Sequence, residues 1–322
     1  MPRSPHRAAA MAGTGRRLRA MVLAGATAVA LAACAPTGPT AADRTMPAAS
    51  GNSSAAVVSS APLETAQATS KVPVYWLGHS GSEVYLYREF LTANSTADPI
   101  EAALAAMTGQ KPLDPDYFSP WKQPSKLGVS ISGRNLITVD ISSDAFAPDV
   151  DQGIAERAIS QLVYTASAAA ASAGLIDGNI AVQVSILVDG HTDYVAFGKV
   201  PLSAPLTRTA AFIAPTWITD PQNGTNESAP LTVSGQGVSA TGRLSWQLVK
   251  KPVTSTSTNT PSGPPEVYLS GEVAITAGPA QLGKYEFMLN PPAGNYELRV
   301  FTPDPADPAR QLGLDTKAIF VG

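Results

Sequence analysis

The chain has 322 residues, 44% of them hydrophobic and only 15% charged, with 22 Lys+Arg against 25 Asp+Glu. That length holds about two domains, and the apolar content is enough for packed cores in spite of 28 prolines and 26 glycines. No Lys/Arg run occurs after Arg19, which argues against a nucleic-acid partner, since phosphate binding needs a basic patch. A single cysteine, Cys34, excludes an intrachain disulfide and any zinc site built on several thiolates.

The N-terminus is a targeting segment. Arg16, Arg17 and Arg19 precede an apolar run from Ala20 to Ala33, and Leu31-Ala32-Ala33-Cys34 ends it. This run is too short and wrongly flanked for a transmembrane helix and has the layout of a secretory signal. Its end resembles the lipobox of bacterial lipoproteins, which implies cleavage after residue 33 and acylation of Cys34. Removing residues 1–33 takes away five arginines and no acid, leaving 17 basic against 25 acidic side chains and a net charge of −8. Two or three acyl chains anchor a protein stably, so the expected location is the extracytoplasmic face of a cell membrane. Residues 35–70 are mostly Ala, Pro, Ser, Thr and Gly and cannot repay the entropy of ordering. As a tether they span roughly 30 to 35 Å when coiled and about 120 Å at full stretch.

From Lys71 the pattern changes. Val72, Val74 and Trp76 alternate as in a half-buried strand, Gly78-His79-Ser80-Gly81 reads as a turn, and Glu83–Leu91 is a second strand. Asp98 as cap, Pro99 at the first helical position, Glu101 and a closing Gly109 define a helix with Ile100, Leu104 and Met107 on its buried stripe. Val129 and Ile131, then Ile137, Val139 and Ile141, flank the turn Gly133-Arg134-Asn135. A second helix runs from about Asp151 to Ala173, with Ile154, Ala158, Leu162, Ala166 and Ala169 on one face and Gly174 beyond its end. Val182, Val184, Ile186 and Val188 lead into Asp189-Gly190, which predicts a hairpin returning at Tyr194–Phe197.

This order resembles the GerMN domain of spore-germination and envelope lipoproteins. The stretches that carry the resemblance are Val72-Pro-Val-Tyr-Trp, Asp98-Pro-Ile-Glu-Ala-Ala-Leu, Leu136-Ile-Thr-Val-Asp-Ile-Ser-Ser, Ala158-Ile-Ser-Gln-Leu-Val-Tyr-Thr and Ile186-Leu-Val-Asp-Gly. After residues 201–208, expected to be a linker, short strands are predicted at Ala211–Ile213, Leu231–Ser234, Leu244–Val249, Val267–Ile275, Tyr285–Leu289, Tyr296–Val300 and Ala318–Val321. Trp246, between Leu244 and Leu248 at period two, is the expected core tryptophan, and 255–265 an inter-strand loop. Leu231-Thr-Val-Ser-Gly, Leu244-Ser-Trp-Gln-Leu, Gly283-Lys-Tyr-Glu-Phe and Pro292-Ala-Gly-Asn-Tyr-Glu-Leu-Arg-Val-Phe resemble the immunoglobulin-like domain of bacterial spore-germination proteins. The expected fold class is therefore an α+β GerMN-like domain, its sheet packed with two helices, followed by an all-β immunoglobulin-like sandwich. The expected segments are a signal at 1–33, a lipidated tether at 34–70, the GerMN-like domain at 71–200, the linker, and the sandwich at 209–322.

Catalytic signals are weak. Gly78-His79-Ser80-Gly81-Ser82 has its second glycine one residue early for a nucleophile elbow, and no helix follows. Ser119-Pro120-Trp121-Lys122 matches a Ser-x-x-Lys string but has no Ser-Asp-Asn or Lys-Thr-Gly downstream, so Trp121 reads as a lid on the core or as a contact residue. His79 and His191, both beside turns, are the histidines left to serve as a base. Asp149 and Asp151 read as capping, and Asp114 with Asp116, and Asp304 with Asp307, read as solvated turns among prolines. No cofactor or metal site is expected. The site residues are Cys34 for the lipid and Tyr75, Trp121 and Trp217 as candidate contact aromatics. The resemblance implies a non-enzymatic adaptor with an envelope protein partner, able to oligomerise through the GerMN-like domain. The alternatives are a cell-wall glycan binder, which needs exposed aromatics, and an envelope hydrolase, which needs a histidine, a serine and a carboxylate in one pocket.

Overall fold

A computed structural model describes residues 63, 70–93, 98–133, 135–177, 180–251, 266–278, 280–304, 306–307 and 310–322. Cys34, the signal, the tether but for residues 63 and 70, and the 255–265 loop lie outside them. The fold is mostly β-sheet with two α-helices among the described residues.

In the first lobe, β1 (Lys71–Ser80) and β2 (Glu83–Thr92) pair antiparallel along their whole length, joined at Gly81-Ser82. The sequence pattern places Gly78 to Ser80 in the turn, whereas they finish the strand. Gly78 is needed there because a Cβ would stand 2.7 Å from the ring of Tyr117 and 2.8 Å from that of Tyr87. Nor is β1 half-buried. Val72, Val74 and Trp76 enter the main core, and Tyr75 and Leu77 on the other face pack with Leu86, Tyr164 and Ala168. Helix α1 (Pro99–Gly109) starts as predicted, with Asp98 accepting from the N–H groups of Ile100 and Glu101. The short β3 (Tyr117–Phe118) pairs with β1 at Leu77 and Gly78.

Next come β4 (Leu127–Ser132), β5 (Leu136–Ile141), α2 (Gln152–Ser172) and β6 (Gln183–Val188). Asp151 caps α2 by accepting from Ile154 N–H, and Gly174 at φ 69° ends it with bonds back to the last turn. The alanine-rich sequence predicts one buried face, yet Ala155 and every residue from Ala158 to Ala171 are buried. The reason is position. Helix α2 lies along β1 beyond its short pairing with β3, where Gln161 Nε2 donates to the Tyr75 carbonyl at 2.8 Å and Thr165 Oγ1 accepts from Tyr75 N–H at 3.1 Å. Helix side chains thus supply hydrogen-bond partners to two buried groups of the strand.

The hairpin expected after β6 does not form as a ladder. Asp189-Gly190 makes a tight turn between Val188 and His191, but β6 pairs parallel with β5 through the α2 crossover, and β7 (Val195–Ala196) pairs with β8 (Val200–Pro201). The stretch expected as a linker is packed: Leu202 joins the core, Leu206 bridges Val184, and Arg208 Nε donates to Ser167 Oγ at 2.8 Å.

The second lobe has two sheets around a core of Ile218, Leu231, Val233, Leu244, Leu248, Tyr285, Leu298 and Ile319, among others. The strands are β9 (Thr216–Asp220), β10 (Thr225–Glu227), β11 (Leu231–Val238), β12 (Arg243–Lys250), β13 (Val267–Ala274), β14 (Leu282–Leu289), β15 (Gly294–Pro303) and β16 (Gln311–Val321). One sheet has the order β14-β11-β9, the other β10-β16-β15-β12-β13, with β10 parallel to β16. Ala210–Phe212 is a 3-10 turn where a strand is predicted. The short β9 and β10 escape prediction because neither shows a run of alternating apolar residues. Trp246 is not the core tryptophan: it is half-buried and stacks on Phe287 with ring centroids 5.0 Å apart.

Candidate functional site

The three candidate contact aromatics are buried and offer no surface to a partner or glycan. Tyr75 is 2% exposed, with its ring 5.0 Å from that of Tyr164 under α2. Trp121, 6% exposed, is the lid that its position suggests: its indole N–H donates to the Ala158 carbonyl at 3.1 Å and its ring meets Phe146 and Phe197. Trp217, 2% exposed, lies on β9 yet belongs to the core of the first lobe. Each looks uncommitted in sequence because its partners come from distant segments.

Packing of the lobes brings together charged groups that their sequence surroundings assign to solvent. Asp114, expected in a solvated turn, is 2% exposed and its carboxylate meets Lys317 Nζ at 2.6 Å, across 203 positions of chain. Lys317, 1% exposed, also donates to the Tyr117 hydroxyl at 2.7 Å and to Asp315 Oδ1 at 3.0 Å. Its ammonium stands 4.5 Å from the centre of the Tyr117 ring. Tyr117 in turn donates to Asp315 Oδ1 at 2.8 Å, while Asp315 Oδ2 accepts from Ile218 N–H at 2.6 Å. Glu89, also buried, accepts from the N–H groups of Leu113 and Asp114 and so fixes the loop that carries Asp114.

Burial, set against the attraction of Lys317 and several hydrogen bonds, pushes the Asp315 carboxyl above its ordinary range, and burial does the same to Glu89. Burial acts to lower Lys317, but the carboxylates of Asp315 and Asp114 outweigh it and the ammonium is held above its ordinary 10.5. Burial, with Asp315 and Asp114, raises the Tyr117 phenol well above 10.0. The last two shifts have one sign: a proton held more tightly in the folded state contributes stability that is complete below the unfolded pKa and lost as pH climbs through the folded one. The thermal midpoint should therefore fall as pH rises above about 10, and less steeply in Lys317→Met. An equal fall in both proteins, read by circular dichroism, would separate this cluster from alkaline stability.

Beside the cluster lies a cavity of about 440 Å³ lined by His79, Tyr87, Asp116, Tyr117, Asp315 and Thr316, among others. His79 is exposed and stacks on Phe118, at 5.4 Å between ring centroids. No serine lines this cavity, and His191 lies elsewhere, exposed at the turn after β6. Ser119 shares its hydroxyl with Trp121 N–H and the Gln161 amide, and Lys122 is exposed. Asp149 is exposed at φ 64°, Asp151 caps α2, and Asp304 accepts from Ala306 N–H in a turn with Asp307. Among the described residues no group of three or more His, Cys, Asp or Glu is placed to hold a metal ion. A second cavity, of about 330 Å³, lies where β2 meets β9, with Lys71, Arg88 and Asp220 in its wall.

A signal for the buried cluster does exist in the sequence. Asp315 and Lys317 continue, at period two, the inward face formed by Ile319 and Val321, and charge on a buried register calls for a partner elsewhere.

The family model described as "Germane: Sporulation and spore germination" matches residues 73–194. The chain is also similar to a solved structure, "Tandem GerMN domains of the sporulation protein GerM from Bacillus subtilis", at 18% identity and a TM-score of 0.30, over 45% of this chain and 50% of that one. The match thus spans half the length of that protein. No curated protein matches the chain. Residues 73–194 of this chain are a GerMN-type domain.

Proposed function

We propose that this chain is a lipid-anchored, non-enzymatic docking module of the bacterial cell envelope, acting in a sporulation- or germination-type protein assembly. The observation that carries the reading is the GerMN-type domain at 73–194, which shares its description with sporulation and spore germination. The lipobox ending at Cys34 supports attachment at the extracytoplasmic face, and the tether after it lets the folded part search a thin layer above the bilayer. Among the described residues no helix is long and apolar enough to cross a membrane, so in this reading the lipid is the anchor.

We read the second lobe as immunoglobulin-like. Its three- and five-stranded sheets and the parallel pairing of β10 with β16 support this. So does the Tyr296 hydroxyl, which donates to the Pro292 carbonyl at 2.9 Å, a short loop back from the start of β15 in the manner of a tyrosine corner. In this reading the cluster around Lys317 holds the lobe in one orientation against the GerMN-type domain, so both present a single surface to the partner.

The anchor has a direct test. Cys34→Ala is expected to release the protein from the membrane fraction or to leave it uncleaved with its signal attached. Detergent partitioning with mass spectrometry of the N-terminus reads both outcomes, and a wild-type N-terminus without acyl mass would rule the anchor out.

A further inference from the structure

The second lobe guards two of its sheet edges and leaves a third open. On β14, at the edge of the three-stranded sheet, Lys284 and Glu286 are exposed, and charge on an edge strand discourages pairing with another chain. At one edge of the larger sheet, β10 is only three residues long. Strand β13, at the other edge, has eight residues and among the described residues pairs on one side only, with β12. Between Glu266 and Glu272 it carries no charge and no proline, and Glu272 is held by Arg243 at 2.8 Å. Val267, Tyr268 and Leu269 follow one another and are 44%, 39% and 37% exposed. A bulge leaves the middle one, Tyr268, out of the β12 register. An uncharged apolar edge of this kind is a template for a further strand.

We propose that β13 pairs antiparallel with β13 of a second copy of this chain in the same membrane, about a two-fold axis at Tyr268. That register sets Val267 against Leu269 of the other copy, Tyr268 against its own counterpart, and Glu266 against Ser270. Moving the axis to Leu269 would set Glu266 against Glu272, acid on acid, and moving it to Ser270 would set Tyr268 against Glu272. A symmetric contact of this kind closes after two copies. Its size points to the same occupant. An edge about 27 Å long and about 10 Å deep gives roughly 500 to 600 Å² over both copies, about half of what a stable pair needs. Dilute copies therefore stay apart, whereas copies confined to one layer by lipid and tether meet at high effective concentration. Every copy brings the same uncharged strand through the same anchor. This inference rests on the anchor of the proposed function and goes beyond it by giving the second lobe a contact of its own.

The test is oxidative crosslinking of the full-length protein in the membranes of cells that make it. Directly opposed residues of an antiparallel pair have Cα atoms about 4.5 to 5.5 Å apart, within disulfide reach, whereas the two copies of Ser270 would stand about 14 Å apart in this register. Tyr268→Cys should therefore give a species of twice the monomer mass, as should the double variant Glu266→Cys/Ser270→Cys, while Ser270→Cys alone should not. Adding Tyr268→Lys to the double variant sets two ammonium groups face to face. Its dimer yield should fall about fivefold, the most that one cross-strand pair contributes, with the circular dichroism unchanged. No dimer in Tyr268→Cys, equal crosslinking in Ser270→Cys, a yield unmoved by Tyr268→Lys, or an adduct with a protein of another mass would overturn the pairing. Mass spectrometry of the N-terminus separates this inference from the one beneath it. Acyl mass without a dimer overturns the pairing alone. A missing acyl mass overturns the anchor, and the pairing is then decided by the same crosslinks in a purified Cys34→Ala background at about 1 mM, the concentration that tethering supplies, where their absence overturns it as well.

Discussion

Lys317→Met should cost about 3 to 5 kcal/mol of stability, the usual penalty for stripping one partner from a buried ion pair. The substitution fits in volume, but it leaves Asp114 and Asp315, both almost fully buried, without the ammonium that each contacts. Coulomb attraction is not what is mainly lost. Most of the cost comes from carboxylates kept out of water with no counter-charge beside them, and the Asp315 carboxyl, already pushed upward by burial, would rise further. Adding Asp114→Asn should restore part of the loss, because it removes one stranded charge and keeps an oxygen for Asp116 N–H. Urea unfolding of the three proteins measures both effects. A loss below about 1 kcal/mol in Lys317→Met would mean that the lobes are not held by this cluster.

Trp217→Ala is expected to cost a similar amount, about 3 to 5 kcal/mol, for a different reason. The indole lies on β9 of the second lobe and fills space in the core of the first. Truncation opens a cavity in a close-packed core whose surroundings relax only in part. Trp246→Ala serves as the comparison. Half-buried and stacked on Phe287, Trp246 should lose less, under about 3 kcal/mol. If Trp246→Ala proved the more damaging of the two, the assignment of the core tryptophan would have to be reversed.

The difference between those tryptophans shows where sequence reasoning works and where it stops. Local signals read well. Asp98 and Asp151 stand at the caps where the pattern puts them, Gly174 ends α2, and most strands of the second lobe contain the alternating stretches that announce them. Each of these depends on residues within a few positions of one another. Non-local structure is what such signals miss. Period two puts Trp246 on an inward face correctly but cannot say that it ends only half-buried there. Asp114 sits among prolines as a turn residue does, and only the return of β16 turns that place into an interior. Asp189-Gly190 makes its turn, yet the pairing partner of β6 is decided by the α2 crossover. Of the site, the acids and histidines can be named from sequence, but their grouping cannot, because Tyr117 and Lys317 are 200 positions apart.

In the proposed function the folded part docks an envelope protein while held at the membrane by Cys34. In-cell photo-crosslinking from the exposed rim at His79, compared between wild type and Cys34→Ala, tests it most directly. The expected result is a discrete protein adduct in wild type that is lost or much reduced when the anchor is removed, with the fold of the released protein intact by circular dichroism. A wild type that gives no protein adduct, or one equally strong without the anchor, would contradict it.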